Sequence, residues 1–284
     1  MFGVTRQSYY QHLWRQDYLT IEHHLILEQV KNIRQNHRSM GTRKLYEKLQ
    51  DFLLDNKIKI GRDALFNLLA FNGLLVRKRR RSVSTTMSYH RYHKWPNLIK
   101  DYIPTAINQL YVSDITYWRI ETGFLYVSLV TDAFSHKIVG YHVANTLETI
   151  ASRQALEMAL KNMEGSKEIL IHHSDRGIQY CSQEYVQVLQ HHRVRISMTE
   201  TSEPTDNPIA ERINGILKEE YLSHYTVKTI KQAKKLLSES VQLYNEDRPH
   251  YSIGLLTPNK VHNQNLVTDK LWKTYPRKKK VLTT

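Results

Sequence analysis

Two stretches decide how the chain folds: His172-His173-Ser174-Asp175-Arg176-Gly177, and Asp206-Asn207-Pro208-Ile209-Ala210-Glu211-Arg212-Ile213-Asn214-Gly215-Ile216-Leu217-Lys218. Asp175 closes an apolar run that reads as a strand, and Glu211 lies inside a run of helical period. Thirty-five residues separate these two acids. A third, Asp114, ends Leu110-Tyr111-Val112-Ser113 and opens Ile115-Thr116-Tyr117-Trp118. Carboxylates carried on three separate elements can converge on one point, and an all-oxygen set suits hard divalent cations. Metal-assisted phosphoryl transfer is the chemistry that such a set serves.

Outward from these acids, residues 110–120, 124–131 and 137–144 are β-branched and aromatic runs broken by Glu121-Thr122-Gly123 and by Asp132-Ala133-Phe134-Ser135-His136. Strands so closely joined make an antiparallel meander. Helical spacing over 147–163 leads to a strand over 168–172, a helix over 183–191, a short strand over 194–198 and then the helix that carries Glu211. This order predicts an α/β class, a ribonuclease-H-like mixed sheet covered by helices, over residues 106–262. Asp114 then lies on the first strand and Asp175 just past the fourth, on a shared sheet edge. Asp206 or Asn207 is expected to cap the next helix, with Pro208 in its first turn. Glu211, Asn214 and Lys218 fall on one face of that helix, which reads as a DNA-facing stripe. A further amphipathic helix is expected over 229–246 as core packing.

Other residues compete for roles and are outweighed. Asp132 falls in a hairpin turn, where Asp is ordinary turn chemistry. His172 and His173 can ligate metal, but a His beside a strand end is more often a packing residue. Gln179 and Tyr180 read equally as DNA contacts or packing. Cys181, the single cysteine, excludes a disulfide framework and a Cys-based zinc site, and reads as a small apolar filler in a reducing cytoplasm.

The N-terminal third has another character. Residues 1–20 form a lead-in segment that resembles the remnant of a helix-turn-helix. Helical runs follow over 21–36, with Ile21, Leu25, Leu27, Val30 and Ile33 apolar, over 43–54 after Gly41-Thr42, and over 62–71 before Asn72-Gly73. Arg77-Lys78-Arg79-Arg80-Arg81 closes this segment with five cations that repel one another unless phosphates or solvent neutralise them. Residues 21–81 therefore read as an all-helical DNA-binding domain, 82–105 as a linker, and 263–284 as a basic tail. Residues 1–105 hold 19 Lys/Arg against 8 Asp/Glu, residues 106–262 hold 16 against 18, and the tail holds 6 against 1. A near-neutral middle between two basic flanks fits a polyanion held around an acidic centre. No apolar run reaches the roughly 20 residues of a membrane span, and a soluble cytoplasmic protein is expected.

Four ordered motifs carry a resemblance: Tyr-Val-Ser-Asp-Ile-Thr-Tyr (111–117), His-Ser-Asp-Arg-Gly-Ile-Gln-Tyr (173–180), Asp-Asn-Pro-Ile-Ala-Glu-Arg-Ile-Asn-Gly-Ile-Leu-Lys-Glu-Glu (206–220) and Tyr-Asn-Glu-Asp-Arg-Pro-His-Tyr-Ser (244–252). Together they resemble the OrfB transposases of the insertion-sequence-3 family, bacterial DDE enzymes with a retroviral-integrase-like core. The resemblance implies that Asp114, Asp175 and Glu211 form a catalytic triad binding two Mg²⁺ or Mn²⁺ ions. One ion would activate the attacking oxygen, first of water and then of a DNA 3′-hydroxyl; the other would stabilise the leaving oxygen. It implies that Lys218 lies near the DNA end, that the partners are terminal inverted repeats and target DNA, and that the chain oligomerises on DNA with an upstream OrfA product, supplied as a partner or by frameshift fusion, in the bacterial nucleoid. Tyr111 stands where a Trp is usual, and Thr-Ser-Glu-Pro-Thr (201–205) lacks the glycine often found there. Two readings compete: a catalytically inactive DNA-binding remnant or regulator, and a ribonuclease H, which leaves the basic flanks unexplained.

Overall fold

Period-two alternation along 110–120 gives a strand with two apolar faces, and both are covered. In the computed structural model, which describes residues 5–7, 10, 21–76, 91–121, 123–161, 163, 170–200, 206–269 and 271, the chain divides into two units, Met1–Arg80 and Arg81–Thr284.

The second unit is built on a five-stranded sheet: β1 (Leu110–Ile120), β2 (Gly123–Asp132), β3 (Ile138–Ala144), β4 (Ile171–Ser174) and β5 (Arg195–Met198), in the order β3-β2-β1-β4-β5. The meander β1-β2-β3 is antiparallel, and β4 and β5 join parallel to β1. This is the ribonuclease-H-like mixed sheet expected above. Tyr111 and Ile115 of β1 point to one face, where Ala155, Leu156, Ala159, Tyr185 and Leu189 pack. They belong to α5 (Thr149–Lys161) and α7 (Gln183–His191), which flank the short α6 (Ile178–Cys181). Leu110, Val112 and Trp118 point to the other face, beneath α8 (Pro208–Ile216) and α9 (Ile230–Asp247). A π-helical turn (Leu217–Tyr221) continues α8, and a final helix, α10 (Pro258–Gln264), follows α9. Residues 91–105, read from sequence as linker, lie on this unit: Trp95 packs with one core cluster, Leu98 and Ile99 with another.

In the first unit, α1 (Ile21–Asn36) is followed by α2 (Thr42–Lys48), α3 (Gln50–Asp55) and α4 (Arg62–Phe71). The expected second helix over 43–54 is two segments meeting at Leu49. The core face of α1 is also rotated from the expected one. Ile26, Leu27 and Val30 are buried, whereas Ile21 and Leu25 are exposed. Arg34 ties α1 to the chain that follows it: its guanidinium donates to Leu74 O at 2.6 Å and Met40 O at 3.2 Å. Most of the lead-in segment, the run Arg77-Lys78-Arg79-Arg80-Arg81 and most of the basic tail lie outside the described residues. Among the described residues no helix is long and apolar enough to cross a membrane.

Candidate active site

Parallel pairing of β1 with β4 sets Leu110 beside Ile171, Tyr111 beside His172 and Val112 beside His173. Carried on two residues, that register puts Asp114 beside Asp175 at the end of β4. Each carboxylate is oriented by backbone. Asp114 Oδ1 accepts from the Ile115 amide at 2.8 Å, and Asp175 Oδ1 accepts from the Gly177 amide at 2.9 Å. Gly177 leaves room for this: a Cβ there would stand 2.9 Å from Asp175 Oδ1.

The third acid arrives on α8. Pro208 takes its first position, as expected, but the Asn207 side chain does not cap the helix. Asn207 Nδ2 instead donates to Ser113 O at 2.9 Å, so the start of α8 is tied to the residue before Asp114. Two turns along, Asn214 Nδ2 donates to Asp114 Oδ2 at 2.8 Å. Residues three apart on a helix are neighbours, so Glu211 stands over the same strand ends. Burial and the charge of Asp175 push its carboxyl above the usual range.

The expected surface stripe is therefore corrected. Asn214 is 4% exposed and faces the sheet; helical spacing establishes that residues share a face, not which way the face is turned. Glu211 is exposed. Lys218 lies in the π-helical turn rather than on the regular helix.

Burial, followed by Asp175, pushes Asp114 up to about 7, with Glu211 contributing in the same direction. The amides of Asn214 and Ile115 oppose the shift without cancelling it. No cationic side chain offsets the charge of Asp114 or Glu211 among the described residues. Nor, among those residues, are any three His, Cys, Asp or Glu side chains gathered tightly enough to hold a metal ion. Asp114 and Asp175 stand together with Glu211 within electrostatic range, an acidic set whose members repel one another.

Beneath the acids is a layer built on His172 and His173, candidate metal ligands in the sequence that are outweighed there as packing residues. His173 Nε2 faces Asp206 O at 3.1 Å and Nδ1 faces Ser197 Oγ at 2.8 Å. A carbonyl only accepts, so Nε2 carries the proton and Nδ1 accepts from the Ser197 hydroxyl. That hydroxyl in turn accepts from the Leu98 amide at 2.9 Å. His173 thus joins the strand that leads into Asp175 to Asp206, two residues ahead of α8. Ser113 Oγ and Tyr185 OH both lie within 2.9 Å of His172 Nε2. Burial pushes His172 down to about 3 and His173 to about 4, so both rings are neutral at physiological pH.

The remaining candidates resolve as structural. Asp132 is fully buried, accepting from the Asn108 and Ser135 amides and the Ser135 hydroxyl at 2.7–2.8 Å. Gln179 donates to Leu147 O, and Cys181 is buried. The signals for Asn214 and His173 were present in the sequence as polar residues in apolar runs flanking the acids, whereas Asn207 stood out only as a candidate cap.

Residues 104–204 match the integrase core domain family, and residues 192–258 match a second integrase core domain description. An uncharacterized 31 kDa protein of insertion element IS600 from Shigella sonnei is 34% identical over 263 residues, covering 91% of this chain and 94% of the relative. The transposase for insertion sequence element IS629, also from Shigella sonnei, is 31% identical over 224 residues, covering 79% and 74%. Transposase InsF for insertion sequence IS3A from Escherichia coli strain K12 is 32% identical over 183 residues, covering 62% and 63%. Solved structures with a similar chain path include the HTLV-2 integrase catalytic core domain in complex with magnesium (TM-score 0.44, 16% identity, 55% of this chain and 96% of that one). The simian T-cell lymphotropic virus intasome in complex with PP2A regulatory subunit B56 gamma gives a TM-score of 0.48 at 18% identity, covering 86% and 77%. With an integrase core spanning the mixed sheet and relatives of this identity along most of its length, the chain belongs to the insertion-sequence-3 family of DNA transposases, whose general activity is polynucleotidyl transfer.

Proposed function

We propose that Asp114, Asp175 and Glu211 are the catalytic acids of this transposase and that they hold two divalent cations, Mg²⁺ or Mn²⁺, for DNA cleavage and strand transfer. One observation carries the reading: the β1–β4 register brings Asp114 beside Asp175, while α8 carries Glu211 over the same edge. The donor set fits the cations. It is all oxygen, as hard divalent ions require, and Asp114 and Glu211 are pushed toward protonation by burial and by the charge of Asp175. Bound cations supply charge neutralisation and polarisation of phosphate and attacking oxygens.

The chain's own residues prepare that chemistry. Asn214 and the Ile115 amide hold both oxygens of Asp114, leaving their second lone pairs for a ligand. The Gly177 amide aims Asp175. Glu211 is the adaptable member: its exposed carboxylate accepts no hydrogen bond from the described residues and can close on the pair when charge is neutralised. Lys218 and the run Arg77-Lys78-Arg79-Arg80-Arg81 are proposed as phosphate contacts, because cations that neutralise phosphates release the counterions condensed on DNA. Terminal inverted repeats and target DNA are the proposed substrates, with assembly as a homo-oligomer and with an OrfA product, in the bacterial cytoplasm at the nucleoid. Comparing strand transfer with and without a fused upstream OrfA protein tests that partner.

The test of the acids is Asp114→Asn, Asp175→Asn and Glu211→Gln, each assayed with Mg²⁺ for nicking and joining of a DNA end and, separately, for DNA retention. Each substitution should remove cleavage and joining by at least about a thousandfold while DNA retention persists. Wild-type nicking by any of the three removes that residue from the role. An inactive remnant predicts no metal-dependent nicking by the unsubstituted chain, even when fused to its partner.

A further inference from the structure

The motif Tyr244-Asn245-Glu246-Asp247-Arg248-Pro249-His250-Tyr251-Ser252 has no part in the site above, yet it surrounds a deeply buried cation. Arg248 is 1% exposed. Its Nε and Nη2 donate to Glu220 Oε2 and Oε1, both at 2.7 Å, and Nη1 lies 2.9 Å from His250 Nε2. The guanidinium carbon sits 5.9 Å from the Tyr244 ring centroid. The base that carries Arg248 is itself anchored. Asn245 Oδ1 accepts from Ile138 N and Nδ2 donates to Ile138 O, both at 2.9 Å, while Tyr244 OH donates to His136 O at 3.0 Å.

What this assembly grips is the π-helical turn Leu217–Tyr221, which continues directly from α8 and contains both Glu220 and Lys218. The Leu222 amide reaches Leu217 O, five residues back, as well as Lys218 O. A π turn accommodates one extra residue. Its relaxation to α geometry would re-aim the residues within it, Lys218 among them, and rotate the chain beyond it by about 100°. A two-pronged Arg–carboxylate fork restricts the azimuth of Glu220 in a way that a point contact cannot. Stability alone does not require it, since apolar side chains of similar volume often serve a buried site as well as an ion pair.

We propose that Glu220 and Arg248 are positioning residues that hold the π-helical turn and thereby set where Lys218 stands relative to Glu211. This rests on the reading of Glu211 as catalytic and Lys218 as a DNA contact. The test uses the full chain. Glu220→Leu combined with Arg248→Met removes the fork without leaving a lone buried charge. The pair variant should melt close to wild type and lose at least about tenfold in strand transfer from a pre-cleaved DNA end. That loss should fall in KM for the DNA end with kcat little changed, and adding Lys218→Ala should make it no worse than Lys218→Ala alone. Wild-type transfer, a loss confined to kcat as from a smaller active fraction, or multiplication of the two effects would overturn the proposal. If the pair variant melts well below wild type, Arg248→Lys is read in its place. Lysine keeps the charge but not the fork: the same KM loss and non-additivity support the role, and wild-type KM overturns it. Retained transfer in Glu211→Gln would remove the catalytic reading itself, and this proposal with it, by a route independent of the latch.

Discussion

At Asp114, burial and the neighbouring Asp175 push the carboxyl up to about 7. Its folded-state value lies above that of the unfolded chain, so between about pH 4 and pH 7 the folded protein holds the extra proton. Metal-free stability should therefore fall as pH rises through that window. Melting curves in a chelator should show this slope, by up to about 4 kcal/mol across the window. Asp114→Asn should flatten it and abolish the stabilisation that Mg²⁺ confers at pH 7; an unchanged slope would mean that another group is responsible. Gly177→Ala tests Asp175 in the same way. A Cβ 2.9 Å from Asp175 Oδ1 must displace the carboxylate, so Mn²⁺ affinity should fall about 10-fold or more, with a much smaller change in melting temperature. The three acids were legible because each interrupts or ends an apolar run. Asn207 and Asn214 were legible only as helix residues, because their partners, Ser113 O and Asp114, lie about a hundred positions away in the chain.

Among the elements, β3 and α5 approach closely at Gly140. A Cβ there would run into the Ala155 carbonyl oxygen and the Ala159 methyl group. Gly140→Ala should cost about 1–3 kcal/mol in a urea titration, and an unchanged midpoint would contradict this packing. The strands could be read because they are β-branched and aromatic runs bounded by turn residues, and their order followed from the runs between. Other features had weaker signals. Thr229 caps α9 in a reciprocal capping box with Gln232, a Thr-x-x-Gln signal that was legible. The short α10, with Thr257 as cap and Pro258 at its start, carries start chemistry without enough apolar residues to show a period. The π-helical turn has no signature of its own, since the fork from Arg248 and the burial of Leu217 and Tyr221 define it from outside the segment.

Across the whole molecule, charge is concentrated at the ends of the sequence, and the acidic site lies in a near-neutral middle. Replacing the five cations of 77–81 by Gln should lower the magnitude of the log-affinity against log-salt slope for DNA by up to about 4. The core should melt as before, and an unchanged slope would remove this run from the DNA contacts. Motif order, not composition, made the family legible, because composition alone fits any basic nucleic-acid binder. The tightness of the acidic set was not legible, since it depends on charges that repel until something neutralises them. Crystals of the metal-free protein soaked with Mn²⁺, and read by anomalous scattering, address that point directly. The expected result is Mn²⁺ density between Asp114 and Asp175, at about 2.1 Å from their oxygens as for a small hard cation, with Glu211 drawn in to complete the site. Ordered crystals with no density there, from protein that still joins DNA strands in Mn²⁺, would contradict the assignment of these acids.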